Sequence, residues 1–262
     1  MPPSERAAPA GAARLPPLTL EDAVGIAEGR ACIDLSPAQW AGVEAAHARL
    51  RTCVEEARIV YGVTTGFGPL ADRLVAPTQI ETLQRNLVYH LATGVGPALG
   101  WREARLVALA RLASLAQGVS GASPELVRRL IALLDSPFAP HIPERGTVGA
   151  SGDLTPLSHL ALALMGEGAF FDRAGVPVPP VAAERALNGW QGLDGRDGLA
   201  LVNGTSAMTG IAAMSAVRAA RLIRWAERLS VGVAEMLGGR LEAWDPAFAR
   251  VRPHPGQVAT TE

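Results

Sequence analysis

The chain has 262 residues, 48% hydrophobic and only 5% aromatic, with 24 basic against 25 acidic side chains for a net charge of −1. That length can bury a sizeable core in one or two domains, and the near balance of scattered charges gives no electrostatic reason to expect nucleic acid or membrane binding. Every basic residue is arginine, so the chain cannot supply the lysine of a pyridoxal phosphate Schiff base, and Cys32 and Cys53 have no ligand-like spacing that would suggest a metal or disulfide framework.

The abundance of Ala, Leu and Arg predicts a mainly α-helical, soluble protein. Residues 1–17, rich in Ala and Pro, read as a mobile, disordered leader. They lack the apolar core of a signal peptide, and no apolar run of ~18 residues exists for a membrane span, so a cytoplasmic location is expected. Leu18 to Asp22 opens a short helix, and Ala31 to Leu35 reads as a short strand. Ser36-Pro37, a cap followed by proline at the first helical position, starts a helix to about Arg58. The stretch Ile59 to Leu70 is glycine-rich. Gly66-x-Gly68-x-x-Ala71 formally fits a dinucleotide template, but Pro69 sits inside it and no βαβ unit surrounds it; a mobile loop is the better reading.

Helices are predicted from Thr78 to about Leu91, from Trp101 to Gln117 with Gly118 as the stop, and from Ser123-Pro124 to about Leu134. Phe170 to Pro179 reads as a hairpin turning at Arg173-Ala174-Gly175, and Gly204 to Gly238 as a long bundle helix. Among the histidines, His47 is expected on a helix surface, His141 lies between prolines, His159 is expected to pack or bond within its own helix, and His254 receives no role.

The most informative segment is Gly146-Thr-Val-Gly-Ala-Ser-Gly-Asp-Leu-Thr-Pro-Leu157. One reading is a turn before a helix, with Thr155 as N-cap and Pro156 at the first helical position. A hydrolase nucleophile elbow fails, because Gly152 comes one place too early and Asp153 stands where the last glycine belongs. A third reading takes Ala150-Ser151-Gly152 literally. If the Gly152 nitrogen attacks the Ala150 carbonyl with loss of water, and Ser151 then loses its hydroxyl as a second water, the product is a 4-methylideneimidazol-5-one ring. Glycine offers an unshielded amide nitrogen, alanine crowds the attacked carbonyl little, and serine supplies the methylidene carbon.

GTVGASGDLTPLSHLA resembles the prosthetic-group segment of the aromatic amino acid ammonia-lyases, the histidine, phenylalanine and tyrosine lyases and related aminomutases. The resemblance implies a mainly α, aspartase/fumarase-like fold. Residues 18–203 would form an N-terminal domain carrying the Ala150-Ser151-Gly152 group, and residues 204–262 the start of a central helical bundle. Tyr61-Gly-Val-Thr-Thr-Gly-Phe-Gly68 looks like the family's inner loop, implying Tyr61 as catalytic base, with Gly68 beside the substrate; a core or interface role is the alternative for Tyr61. Asn203, in Leu201-Val-Asn-Gly-Thr-Ser206, resembles the asparagine that contacts ring and substrate, its alternative being a helix N-cap. Asp153 would support ring formation or act as an N-terminal helix charge.

In Asn86-Leu-Val-Tyr-His-Leu-Ala-Thr-Gly94, the pair His90-Leu91 matches the tyrosine lyases, where phenylalanine lyases resemble Phe-Leu and histidine lyases Ser-His. The implied reaction is elimination of ammonia from L-tyrosine to p-coumarate, with a self-formed ring and no metal or pyridoxal phosphate. The partners implied are a small aromatic amino acid and three further subunits of a homotetramer sharing active sites. Phenylalanine or histidine lyase, tyrosine 2,3-aminomutase, and a catalytically incomplete helical remnant are the alternatives. Family chains run far past Gln257, so this chain is expected to be an N-terminal half lacking the carboxylate-binding arginine, a second tyrosine and a glutamate of the pocket.

Overall fold

In the computed structural model, which describes residues 13–14, 18–189 and 192–261, the cap signals of the sequence become helix starts. Ala13–Arg14 (β1) pairs in parallel with Ile33–Asp34 (β2), and the rest of the expected leader lies outside the described residues. Helix α1 (Leu20–Ala27) opens on a reciprocal pair between Thr19 and Asp22, and α2 (Pro37–Glu55) on the same arrangement between Ser36 and Gln39. Each pair satisfies two N–H groups that the first turn leaves without partners. Helix α2 stops three residues before the expected Arg58, because Ala57 turns into positive φ and Arg58 N folds back onto Cys53 O.

Residues 56–79 hold no α-helix, only single turns at Gly68–Leu70 and Pro77–Gln79. Helix α3 (Ile80–Leu91) follows, then β3 (Val95–Ala98), α4 (Trp101–Leu115) and α5 (Pro124–Asp135), which Ser123 caps by accepting from Leu126 N. Ala139–Pro140 (β4) and Pro143–Arg145 (β5) lead to α6 (Leu154–Met165). The predicted hairpin is present as Phe170–Phe171 (β6) and Pro177–Val178 (β7), its turn held by the Asp172 carboxylate accepting from Ala174 N and Val176 N. Among the described residues β3 pairs with β5, and β6 with both β4 and β7, all antiparallel. Helices α7 (Pro180–Ala186), α8 (Asp197–Val202) and α9 (Ser206–Met236) come next, then α10 (Pro246–Val251) and α11 (Pro255–Thr261).

The chain separates into two compact units, Met1–Met214 and Ser215–Glu262. The core of the first is α4, buried on nearly every side through Val107, Leu109, Leu112 and Leu115, with α1 and α5 packed on it. Arg105 sits fully buried inside this core. Its guanidinium donates to the carbonyls of Ala27, Leu133, Leu134, Ser136 and Phe138, closing the C-terminal ends of α1 and α5. Burial pulls it down to about 10, against a partial counter-effect from Asp135. Beside this core, α6 packs on both α3 and α8, and that trio carries the site.

Several local expectations are corrected. Helix α6 begins two residues earlier than expected, with Asp153 rather than Thr155 at the cap position, because the preceding backbone is pinned by a bond from Asp153 N to Gly204 O. Asn203 is no N-cap; it closes α8, and its extended backbone separates α8 from α9. His47 is half-buried rather than on the surface, with its ring nitrogens 3.4 Å from Gly121 O and 3.2 Å from the Asp194 carboxylate. His159 bonds outside its helix, accepting from Gly94 N at 3.0 Å. Asp197–Met236 also contains an 18-residue window of mean hydropathy 1.2, so an apolar run of membrane-spanning length does exist by composition. Its cause is the uncharged stretch from Gly198 to Val217, which the Asn203 break interrupts.

Candidate active site

The turn before α6 depends on two glycines, Gly146 and Gly152, at which a side chain would collide with a neighbour. Gly152 has φ +94°, and a Cβ there would lie 2.7 Å from Gly204 O. The turn is tight enough for Ala150 and Gly152 to bridge, leaving Ser151 exposed at its tip. The segment 203–208 grips it from the other side. Asn203 Nδ2 donates to Ser151 O at 2.8 Å, Asp153 N donates to Gly204 O at 2.7 Å, and the buried Asp153 carboxylate accepts from Met208 N at 2.7 Å, in the first turn of α9. Asp153 therefore stands at the start of one helix while its carboxylate caps another. Beneath the α8–α9 break lies Arg111, buried within α4, whose Nη1 donates to Asn203 O at 3.1 Å. Burial lowers its guanidinium to about 10.

The loop carrying Tyr61 is closed on itself. Gly68 N donates to the Tyr61 hydroxyl oxygen at 3.0 Å, and the Tyr61 ring meets Phe67 edge-on. The Thr64 hydroxyl accepts from Val60 N and donates to Arg58 O, while that of Thr65 accepts from Gly62 N. These short bonds replace a helical ladder over a stretch that glycines keep out of regular structure.

Tyr61, Gly68, His90, Leu91, Ser151 and Asn203 all line one cleft of about 620 Å³, and Ala150, Gly152 and Asp153 adjoin it through Ser151. The elements bring together residues as far apart as Tyr61 and Asn203. Helix α3 presents His90 and Leu91, α6 begins three residues after Ser151, and α8 closes on Asn203. A second, more polar cavity of about 530 Å³ near Arg51, Glu55 and Asp194 contains none of the predicted residues.

The sequence patterns also carried three supporting residues that motif reading passed over. Gln84 is fully buried on the face of α3 formed by Ile80 and Val88, a polar residue in an apolar stripe at four-residue spacing. Arg111 breaks the stripe of Val107 and Leu115 in the same way. His159 accepts from Gly94 where α3 has just ended; a Cβ on Gly94 would come within 2.9 Å of its Nε2. Burial and, after it, the charge of His141 hold His159 below the ordinary histidine range, in keeping with a neutral ring that accepts at Nε2.

The sequence profile of the aromatic amino acid lyases matches residues 18–262. The chain belongs to the aromatic amino acid lyase family. Among curated relatives of this family member, a tyrosine ammonia-lyase from Cereibacter sphaeroides is 54% identical over 92% of this chain and 46% of its own length. A histidine ammonia-lyase from Gloeobacter violaceus is 42% identical over 93% of this chain and 47% of its own. Among solved structures, tyrosine aminomutase from Streptomyces globisporus superposes with a TM-score of 0.86 at 35% identity, covering 93% of this chain and 46% of that one. The mainly helical fold is thus the aspartase/fumarase-like one expected from the resemblance. This family member spans about half the length of the curated relatives it matches.

Proposed function

We propose that this chain contributes the electrophile and half of the pocket of an ammonia-lyase acting on aromatic α-amino acids, with L-tyrosine as substrate and p-coumarate and ammonia as products. The observation that carries the reading is the single cleft that gathers Tyr61, His90-Leu91, Ser151 and Asn203 from four distant parts of the chain.

The Ala150-Ser151-Gly152 tripeptide fits a 4-methylideneimidazol-5-one. The tight turn already sets Ala150 against Gly152, the Gly204 carbonyl leaves room for no side chain at Gly152, and Ser151 faces the cleft. Once formed, that group supplies an electron sink that eases departure of the amine, chemistry that no side chain of this lysine-free chain offers. The remaining work falls to the chain's own residues. The Asn203 amide donates to the Ser151 carbonyl oxygen, where extra electron density would be stabilised. Helix α6 starts just after the tripeptide, and the positive end of its dipole, with the first-turn N–H groups of Leu154 and Thr155, lies next to the ring in sequence. Tyr61 takes the β-proton, its oxygen held in place by Gly68 N–H. His90 pairs with the substrate phenol hydroxyl, while Leu91 and Gly68 bound the aromatic ring. Asp153 holds the tripeptide against α9 during cyclisation.

Residues 18–203 then act as the prosthetic-group domain and 204–262 as the start of a bundle that completes the pocket in a homotetramer of cytoplasmic subunits. The likeness to a tyrosine aminomutase makes β-tyrosine the second product to look for. An intact-mass measurement tests the reading. The mature chain should weigh two waters less than its sequence, and Ser151→Ala, with no hydroxyl to lose, should not show the two-water deficit. A wild-type chain at full sequence mass in active preparations removes the basis of the proposal.

A further inference from the structure

The Tyr61 loop and α8, which ends at Asn203, are separate pieces of chain, and one buried side chain bonds to both. Gln84 Nε2 donates to Gly62 O, next to Tyr61, at 2.8 Å; Gln84 Oε1 accepts from Leu199 N at 2.9 Å. Leu199 O in turn accepts from Asn203 N at 3.0 Å. The packing around this link is close. A Cβ on Gly62 would sit 2.7 Å from the Leu199 side chain, and one on Gly198 would sit 2.7 Å from Gln84 O. Both partners are backbone groups, one acceptor and one donor, so among side chains of this length only an amide answers both at every pH. A carboxylate can serve Leu199 N but repels the Gly62 carbonyl, and an aliphatic chain serves neither.

We propose that Gln84 is a positioning residue that sets the Tyr61 oxygen at its working distance from Ser151 and Asn203, acting through Gly62 on one side and Leu199 on the other. The proposal rests on the lyase reading above for its catalytic consequence, while its structural half stands apart from turnover. Gln84 itself makes none of the bonds that hold the Ala150-Ser151-Gly152 turn; its only link to them is the backbone bond between Leu199 and Asn203. Gln84 variants should therefore form the ring and yet misplace the base.

The test compares Gln84→Glu and Gln84→Leu with wild type in the full-length enzyme by intact mass, steady-state kinetics against pH, and amide hydrogen exchange. Both variants should keep the two-water deficit. In Gln84→Leu, kcat should fall by about tenfold or more with little change in KM, as expected for a displaced catalytic group. In Gln84→Glu, kcat relative to wild type should decline as pH rises, since only the protonated carboxyl can donate to Gly62 O, whereas the Leu variant's ratio should stay flat. Exchange over residues 62–68 should speed up in the Leu variant while residues 150–153 stay unchanged. A Leu variant with wild-type kcat, unchanged exchange over 62–68, or a Glu variant that loses the two-water deficit each overturns the proposal. Failure of the lyase reading looks different, because it appears as a missing deficit in wild type and leaves the exchange result standing.

Discussion

Replacing Gly152 by alanine tests the site's geometry most directly. The residue holds φ at +94°, a region that costs an L-residue roughly 1–3 kcal/mol. The new Cβ would also meet Gly204 O at 2.7 Å and Gly204 N and C at 3.1 Å. These are backbone atoms at the α8–α9 break, and Arg111 backs them from behind, so they cannot swing aside as a flexible side chain would. An overlap of this kind adds about 1–3 kcal/mol. Relief must come from separating the two segments, which stretches the Asp153 N to Gly204 O bond and the Asn203 amide bond to Ser151. The total, about 2–6 kcal/mol, corresponds to a fall in Tm on the order of 10 °C. The assay pairs thermal unfolding with intact mass, using Ser151→Ala as the control. Gly152→Ala should lose both stability and the two-water deficit, while Ser151→Ala, at an exposed position, should lose the deficit alone. A Gly152→Ala protein with unchanged Tm and a complete deficit would show that the close approach to Gly204 does not govern the turn.

Three further outcomes follow from other residues. His90→Phe should shift relative kcat/KM from tyrosine towards phenylalanine, and unchanged ratios would show that His90 does not choose the substrate. Burial pushes the Asp197 carboxyl up to about 6, against the opposing hydrogen bonds from Ser123 and Asp194 N. Between the ordinary 3.8 and about 6 the folded state holds the proton that the unfolded state releases, so this contribution to stability is complete at low pH and is lost as pH rises across that window. Denaturant unfolding at pH 4 and pH 7 should show a loss of up to about 3 kcal/mol that Asp197→Asn removes. Arg105→Met leaves five carbonyls at the ends of α1 and α5 without their donor, and equilibrium unfolding should show a loss of about 3–5 kcal/mol. A near-neutral result there would mean that water replaces the guanidinium.

The sequence spelled out the helix starts wherever the signal is local. Ser36-Pro37 and Ser123-Pro124 each place a cap and an N1 proline within a few residues, and both helices begin as predicted. Thr155-Pro156 carries the same signal and misleads. There the start is set by Asp153 reaching Gly204, a contact about fifty residues away that no local pattern contains. Asn203 misleads as a cap for the same reason, since its amide is taken by Ser151. The residues of the cleft were legible through four separate motifs, but the parts that hold those motifs together were not. Gln84, Arg111 and His159 look like ordinary helix residues until their partners, far along the chain, are in place. In Gln84 and Arg111 the clue was a polar group inside an apolar stripe, a pattern that says the group is buried without saying what it meets.

The mutual grip between the tripeptide turn and the start of α9 has a temporal side. Ser151 receives its bond from a residue 52 positions later, and Asp153 spends its carboxylate on one 55 positions later. A nascent polypeptide halted near residue 200 carries Ala150, Ser151 and Gly152 but none of the groups that press them together. On the proposed cyclisation, self-modification is an act of the folded protein, and the ribosome must make that downstream segment before the backbone can turn on itself.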